Sequence, residues 1–175
     1  MNNAQRCTAL AIAYAAVVWS QSSPPTQATI SIGGKNLTIR YSAPSVRGRK
    51  IFGDGGLLSR DPTYPAWRAG ANDATAFHTD ANIDIGGLSV PKGDYTLYCW
   101  VKDPNAWDLI VSKETGQWGL NYNPKQDVGR VKMTMSAPPA KIETLKYTFS
   151  NQGPNKAKLE LGWESHVASV MITVK

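Results

Sequence analysis

A chain of 175 residues is long enough for one domain with a substantial core, and nothing in it marks a second domain or a repeat. Its 19 Lys and Arg outweigh 13 Asp and Glu by +6, yet only Arg47-Gly48-Arg49-Lys50 is clustered, which speaks against a nucleic-acid surface. Two cysteines, Cys7 and Cys99, leave no room for a cysteine-based zinc site.

The N-terminus reads as an export signal. Arg6 is the only charge before residue 35, and the apolar run from Cys7 to Trp19 is too short for a spanning helix. Cleavage is expected after Ser20, which makes 1–20 a signal peptide and the mature protein periplasmic or secreted, with no membrane attachment. Cys7 leaves with the signal, so Cys99 stands alone without a disulfide partner and reads as a small hydrophobe in a strand. The mature chain keeps 18 basic and 13 acidic residues, a balance of +5.

The Ser/Pro-rich stretch 21–27 reads as a flexible lead-in to a domain over 28–175. Strands are expected at Ala28–Ile32 and Asn36–Tyr41, joined by a Gly33-Gly34 turn. Ala43–Ala66 lacks periodicity and carries three prolines, so it reads as a long loop, the kind that carries function or crosses between sheets. Thr75–Asp80, Asn82–Ile85 and Leu88–Val90 follow as strands.

Asp94–Lys102 alternates most clearly, with Tyr95, Leu97, Cys99 and Val101 on one face and Thr96, Tyr98, Trp100 and Lys102 on the other. Ala106–Ser112, Trp118–Tyr122, Arg130–Ser136, Thr144–Ser150, Lys158–Glu164 and Val167–Lys175 complete the set. No segment after Ser20 holds helical spacing for ten residues. About ten short strands separated by Gly, Pro and Asn turns point to a single antiparallel β-sandwich, jelly-roll-like or immunoglobulin-like.

Two segments break the alternation and concentrate charge and aromatics among small residues. They are Tyr41-Ser42-Ala43-Pro44-Ser45-Val46-Arg47-Gly48-Arg49-Lys50-Ile51-Phe52-Gly53 and Trp67-Arg68-Ala69-Gly70-Ala71-Asn72-Asp73-Ala74-Thr75. Together with Pro91-Lys92-Gly93-Asp94-Tyr95-Thr96-Leu97, Gln117-Trp118-Gly119 and Leu161-Gly162-Trp163-Glu164, they resemble a bacterial family of secreted proteins known as domain of unknown function 2911. The resemblance runs from Ala28 to Lys175 and implies a secreted β-rich domain; the family name implies no activity. This chain departs from the family in carrying Asp73 where Glu is usual, and in its segment between Gly53 and Trp67.

The first candidate site is built from Arg47, Arg49, Trp67, Arg68, Asn72 and Asp73. Arginine forks suit carboxylate, phosphate or sulfate, and Asn72 with Asp73 would orient the ligand or the arginines. The plain structural alternative pairs Arg68 with Asp73 and buries Trp67. A second candidate is a sugar platform on Tyr98 and Trp100, with Trp107 and Trp118 on following segments. A third joins His78 and Asp80 to Glu164 and His166 as a metal or acid–base set, if their strands are neighbours. Ser42 and Ser45 flank Pro44 without a nucleophile elbow, which leaves serine catalysis without support.

The sequence therefore predicts an exported binding module for a polar or anionic small molecule or a glycan, with no cofactor. Two rivals stand beside it. One is a metal-dependent or hydrolytic enzyme using His78 and His166. The other is a structural protein that assembles with itself or a protein partner through exposed sheet edges, the final strand Val167–Lys175 being the edge in question.

Overall fold

A computed structural model describes residues 23–175, so the signal peptide expected at 1–20 lies outside the described residues. Thirteen antiparallel strands form two sheets. They are β1 (Pro25–Ile32), β2 (Lys35–Ser42), β3 (Ala66–Trp67), β4 (Ala71–Thr79), β5 (Ile83–Ile85), β6 (Leu88–Val90) and β7 (Gly93–Asp103). Then come β8 (Ala106–Ser112), β9 (Asp127–Lys132), β10 (Thr134–Ser136), β11 (Ile142–Gly153), β12 (Lys156–Glu164) and β13 (His166–Val174).

One sheet runs β1-β2-β4-β7-β8-β9, with β3 also on β7; the other runs β11-β12-β13-β5-β6, with β10 also on β13. The two sheets do not close into a barrel, and their inner faces share one core. The sandwich expected from the strand pattern is the fold.

The alternation read along β7 sets the layers. Leu97, Cys99 and Val101 are buried between the sheets, and Cys99 packs as a hydrophobe whose thiol is pushed well up by burial. The core is rich in rings at one end. Trp67 stacks on Trp163 at 5.6 Å and 18°, and Phe52 sits 4.8 Å from Trp107 and 5.9 Å from Trp163. Burial of rings of this size is worth several kcal/mol each, on the order of 3–5 for Trp.

The loop after β2 closes that end. It is pinned to β11 by Val46 N–H donating to the Glu143 carbonyl (2.8 Å) and Leu145 N–H donating to the Pro44 carbonyl (2.9 Å). It also drops Val46, Ile51, Phe52 and Leu58 into the core. A long stretch without periodicity is thus a structured loop that leaves and rejoins the same sheet, not a crossover between sheets, ordered by the apolar residues it buries.

The structure corrects several sequence expectations. β1 begins at Pro25, so the last three residues of the expected 21–27 lead-in are strand paired with β2. Trp118–Tyr122 is not a strand: Trp118 makes one bridge with Asp73, and Asn121 N–H then turns back to the Trp118 carbonyl (2.8 Å). The single strand expected at Arg130–Ser136 is two, because the chain passes at Met133 from β9 in one sheet to β10 in the other. Its inward residues serve both sheets, so the alternation continues across the break.

The last correction removes the edge offered for self-assembly. β13 pairs with β12 along one side and with β10 and then β5 along the other. A strand hydrogen-bonded on both sides has no free row of N–H and C=O groups to offer a partner.

Candidate functional site

The Trp67–Thr75 segment is an excursion from a strand. Trp67 pairs with Cys99 and Thr75 pairs with Leu97, so residues 68–74 lie opposite the single position Tyr98. This is why the stretch shows no alternation: its residues leave the ladder and return. Ala69 (φ 53°) and Asn72 (φ 61°) adopt left-handed backbone that side chains with a Cβ rarely take.

Specific hydrogen bonds hold that conformation. The Ala69 carbonyl accepts from Tyr147 OH (3.0 Å) and from Thr75 Oγ1 (3.2 Å), and Trp67 Nε1 donates to the Gly70 carbonyl (3.3 Å). Asn72 Nδ2 donates to Ser42 Oγ (3.3 Å). Gln117-Trp118-Gly119 lies alongside: Gly119 N–H donates to the Asn72 carbonyl (3.1 Å) and Ala74 N–H to the Gln117 carbonyl (3.2 Å). A Cβ at Gly119 would collide with Arg68 Cδ and the Asn72 carbonyl, so only glycine fits there.

Beside the excursion, and under the loop after β2, opens a cleft of about 410 Å³. Arg47, Arg49, Asp61, Arg68 and Trp163 line it. Arg68 Nη1 donates to Asp61 Oδ2 at 3.1 Å, with both side chains about four-fifths buried. Arg49 donates from Nε to the Val46 carbonyl (3.0 Å) and from Nη2 to the Ser45 carbonyl (2.6 Å). Arg47, itself at φ 51°, has its backbone N–H on Glu143 Oε1 (2.7 Å).

Arg68 Nε and Trp163 Nε1, on two of the lining residues, have no partner among the described residues, but both atoms are closed to solvent and Arg68 Nε packs at Gly119. Buried donors are nearly always satisfied, by protein, water or ligand. Three guanidinium groups against one carboxylate make the lining basic.

The structure thus brings Arg47, Arg49 and Arg68 into one cleft and leaves the other three expected residues out of it. Trp67 is fully buried and plugs the core. Asn72 anchors the excursion, and Asp73 faces a different groove. Arg68 pairs with Asp61, not with Asp73 as the structural alternative had it. Asp61 and Trp163 escaped the sequence reading as site residues. Asp61 sits before Pro62 in a loop without periodicity, and Trp163 reads as an ordinary inward strand residue.

The sugar platform expected at Tyr98 and Trp100 is consumed internally. Tyr98 is fully buried, donates to the Asn121 carbonyl (3.0 Å) and carries Tyr122 at 4.9 Å. Arg130 covers the Trp100 ring at 4.7 Å, and Trp107 is buried. The segment 114–127 crosses this face of the sheet, which no periodicity in the sequence discloses.

The histidine set does not assemble. His78 lies on β4 in one sheet, and Glu164 and His166 flank the β12–β13 turn in the other. Among the described residues no three His, Cys, Asp or Glu side chains are arranged to hold a metal. His78 instead bonds Asp94 Oδ1 through Nδ1 (2.7 Å) and Asp80 Oδ1 through Nε2 (3.0 Å). The Asp94 bond, then that to Asp80, holds its pKa above the usual value. His166 stacks on Trp107 (5.7 Å, 18°), and burial lowers its pKa. Ser45 Oγ bonds Thr144 Oγ1 (3.0 Å) and Ser42 accepts from Asn72, so neither serine faces a histidine base.

The family model described as "Protein of unknown function (DUF2911)" matches residues 23–172. No curated protein and no solved structure matches the chain significantly.

Proposed function

The chain belongs to the family described as DUF2911, a protein of unknown function, and from that premise we propose that it is an exported binding module for a small carboxylate, phosphate or sulfate. The observation that carries this reading is the arginine cleft. It gathers Arg47, Arg49 and Arg68 from the two segments that interrupt the strand pattern. A planar fork of N–H donors matches a planar or tetrahedral oxyanion. Its volume of about 410 Å³ suits a small molecule rather than a polymer.

In this reading Asp61 is a placeholder that an anion displaces or joins at Arg68. That gives a test with a sign. Thermal unfolding is followed with citrate, phosphate and sulfate, for the parent protein and for Asp61→Asn and Arg68→Gln. A ligand at a hundredfold its dissociation constant adds about 2.7 kcal/mol, roughly 5–10 °C for a domain of this size. Arg68→Gln is expected to lose the shift. Asp61→Asn is expected to lower the unliganded melting temperature and to enlarge the shift, because the competing carboxylate is gone. If Asp61→Asn only destabilises and no anion moves any variant, the pair serves the fold alone.

A further inference from the structure

Of the five described tryptophans, three are buried in the core and Trp100 lies under Arg130. The fifth, Trp118, is 48% exposed. Its backbone bridges Asp73, and residues paired across an antiparallel bridge turn their side chains to the same side. Asp73 lines a groove of about 570 Å³ on the outer face of the seven-stranded sheet. Trp118 is therefore on the side of Asp73 and next to Gln117 on the wall, just beyond the groove's own lining.

The groove is separate from the arginine cleft. Its floor is β2 and β4, where Ala74 and Ala76 keep the surface low; its walls are the start of β1 on one side and Gly116-Gln117 on the other. The polar groups around it are of both kinds. Asp73 makes no side-chain hydrogen bond or ion pair among the described residues. Arg40 uses only Nε, on Gln27 Oε1 (3.2 Å), and keeps its terminal amines. Ser42 Oγ accepts from Asn72 and retains a hydroxyl to donate.

We propose that this groove binds a neutral saccharide, with the Trp118 ring stacked on a sugar face and Asp73 and Arg40 hydrogen-bonded to its hydroxyls. The chemistry selects that class over two others. An anion would meet the unpartnered Asp73 carboxylate. An extended peptide would add to the open outer edge of β1 and lie beside the groove, whose floor strands β2 and β4 are each paired on both sides. A flat exposed ring next to amide, carboxylate and guanidinium groups suits a ring with one apolar face and a rim of hydroxyls.

Affinity electrophoresis of the protein through gels containing one of three neutral polymers, soluble β-glucan, xylan or galactomannan, with an acidic polyuronate in a fourth gel, tests the proposal. At least one neutral polymer is expected to retard the parent. Trp118→Ala should weaken that retardation about tenfold or more, at an unchanged melting temperature because the ring is exposed. Asp73→Ala should weaken it as well. Arg49→Gln, which probes the anion cleft, should leave it intact. In the parent the same polymer should shield the exposed ring from acrylamide quenching. Absence of retardation by all three polymers overturns the proposal, as does equal retardation of Trp118→Ala. Retardation only by an acidic polyuronate, and lost in Arg49→Gln, assigns binding to the cleft and overturns it too.

Discussion

Tyr98 and Cys99 are neighbours on β7 and face opposite sides of the seven-stranded sheet. Cys99 points between the sheets, where Trp67, Trp163, Phe52 and Trp107 pack edge to face or stacked. Tyr98 points outward and is just as buried, but beneath a strip of turns with Tyr122 and Gln117. The inner side is held by area removed from water. The outer side is held by hydrogen bonds whose partners must all be present: Gln117 Nε2 to Tyr98 OH (3.0 Å), Tyr98 OH to the Asn121 carbonyl, and Tyr122 OH to Asp127 (2.7 Å). One strand thus supports a dry core and a polar lid, and the loss of one residue should read differently on each side.

The largest break is expected on the inner side. Trp67→Ala should cost about 3–5 kcal/mol, because Trp163 and Phe52 lose a ring neighbour and cannot collapse into the space. That corresponds to a fall in melting temperature of roughly 10 °C or more, with loss of the near-ultraviolet dichroism of packed tryptophans. A small drop would mean that the aromatic end tolerates a cavity.

On the outer side Tyr98→Phe keeps the ring and removes one hydroxyl. The Asn121 carbonyl and the Gln117 amide lose their partner, at a cost of about 1–3 kcal/mol. Amide exchange should quicken in 114–122 and stay slow in β12 and β13. Equal loosening of both sheets would refute a separate outer lid.

The smallest effect separates the two histidines. His78, on the outer side, has its pKa raised by Asp94 and then Asp80. Its contribution is fully present below the unfolded value near 6.5 and fades as pH rises through the folded pKa. His166, against Trp107 and Phe52, has its pKa lowered by burial. It costs stability as pH falls from about 6.5 toward its folded value. Between about pH 5 and 8, His166→Phe should therefore gain on the parent as the solution is acidified, and His78→Asn should lose on it. Imidazole titration by nuclear magnetic resonance should place the two pKa values on either side of 6.5. The same sign for both would contradict the difference in environment. The bond to His78 also holds Asp80 below the usual carboxylate range, so that part of the pairing is lost only in stronger acid.

Much of this architecture is a property of the chain read locally. Alternation in β7, β11 and β12 and the Gly33-Gly34 turn specify a two-layer all-β domain, because each strand must hide one face. The same reading marks Tyr41–Gly53 and Trp67–Thr75 as exceptions, since periodicity fails there for residues that leave the ladder. It also groups Arg47, Arg49 and Arg68 in one candidate set, together with Trp67, Asn72 and Asp73, which do not line the cleft.

What each exception does was decided by tertiary contacts. Whether Arg68 meets Asp61 or Asp73, and whether Tyr98 or Trp118 is the exposed ring, depends on where 57–66 and 114–122 cross the sheets. Those crossings are set by single glycines, carbonyls capped by side chains and packed rings distant in sequence, such as Gly119 against Arg68 and Tyr147 on Ala69. The final strand makes the same point. Its few charges allow either an edge or a centre, and only its pairing with β12 on one side and with β10 and β5 on the other put it at the centre. Periodicity reports which face of a strand is buried; it carries no information about what covers that face or what lies beside it.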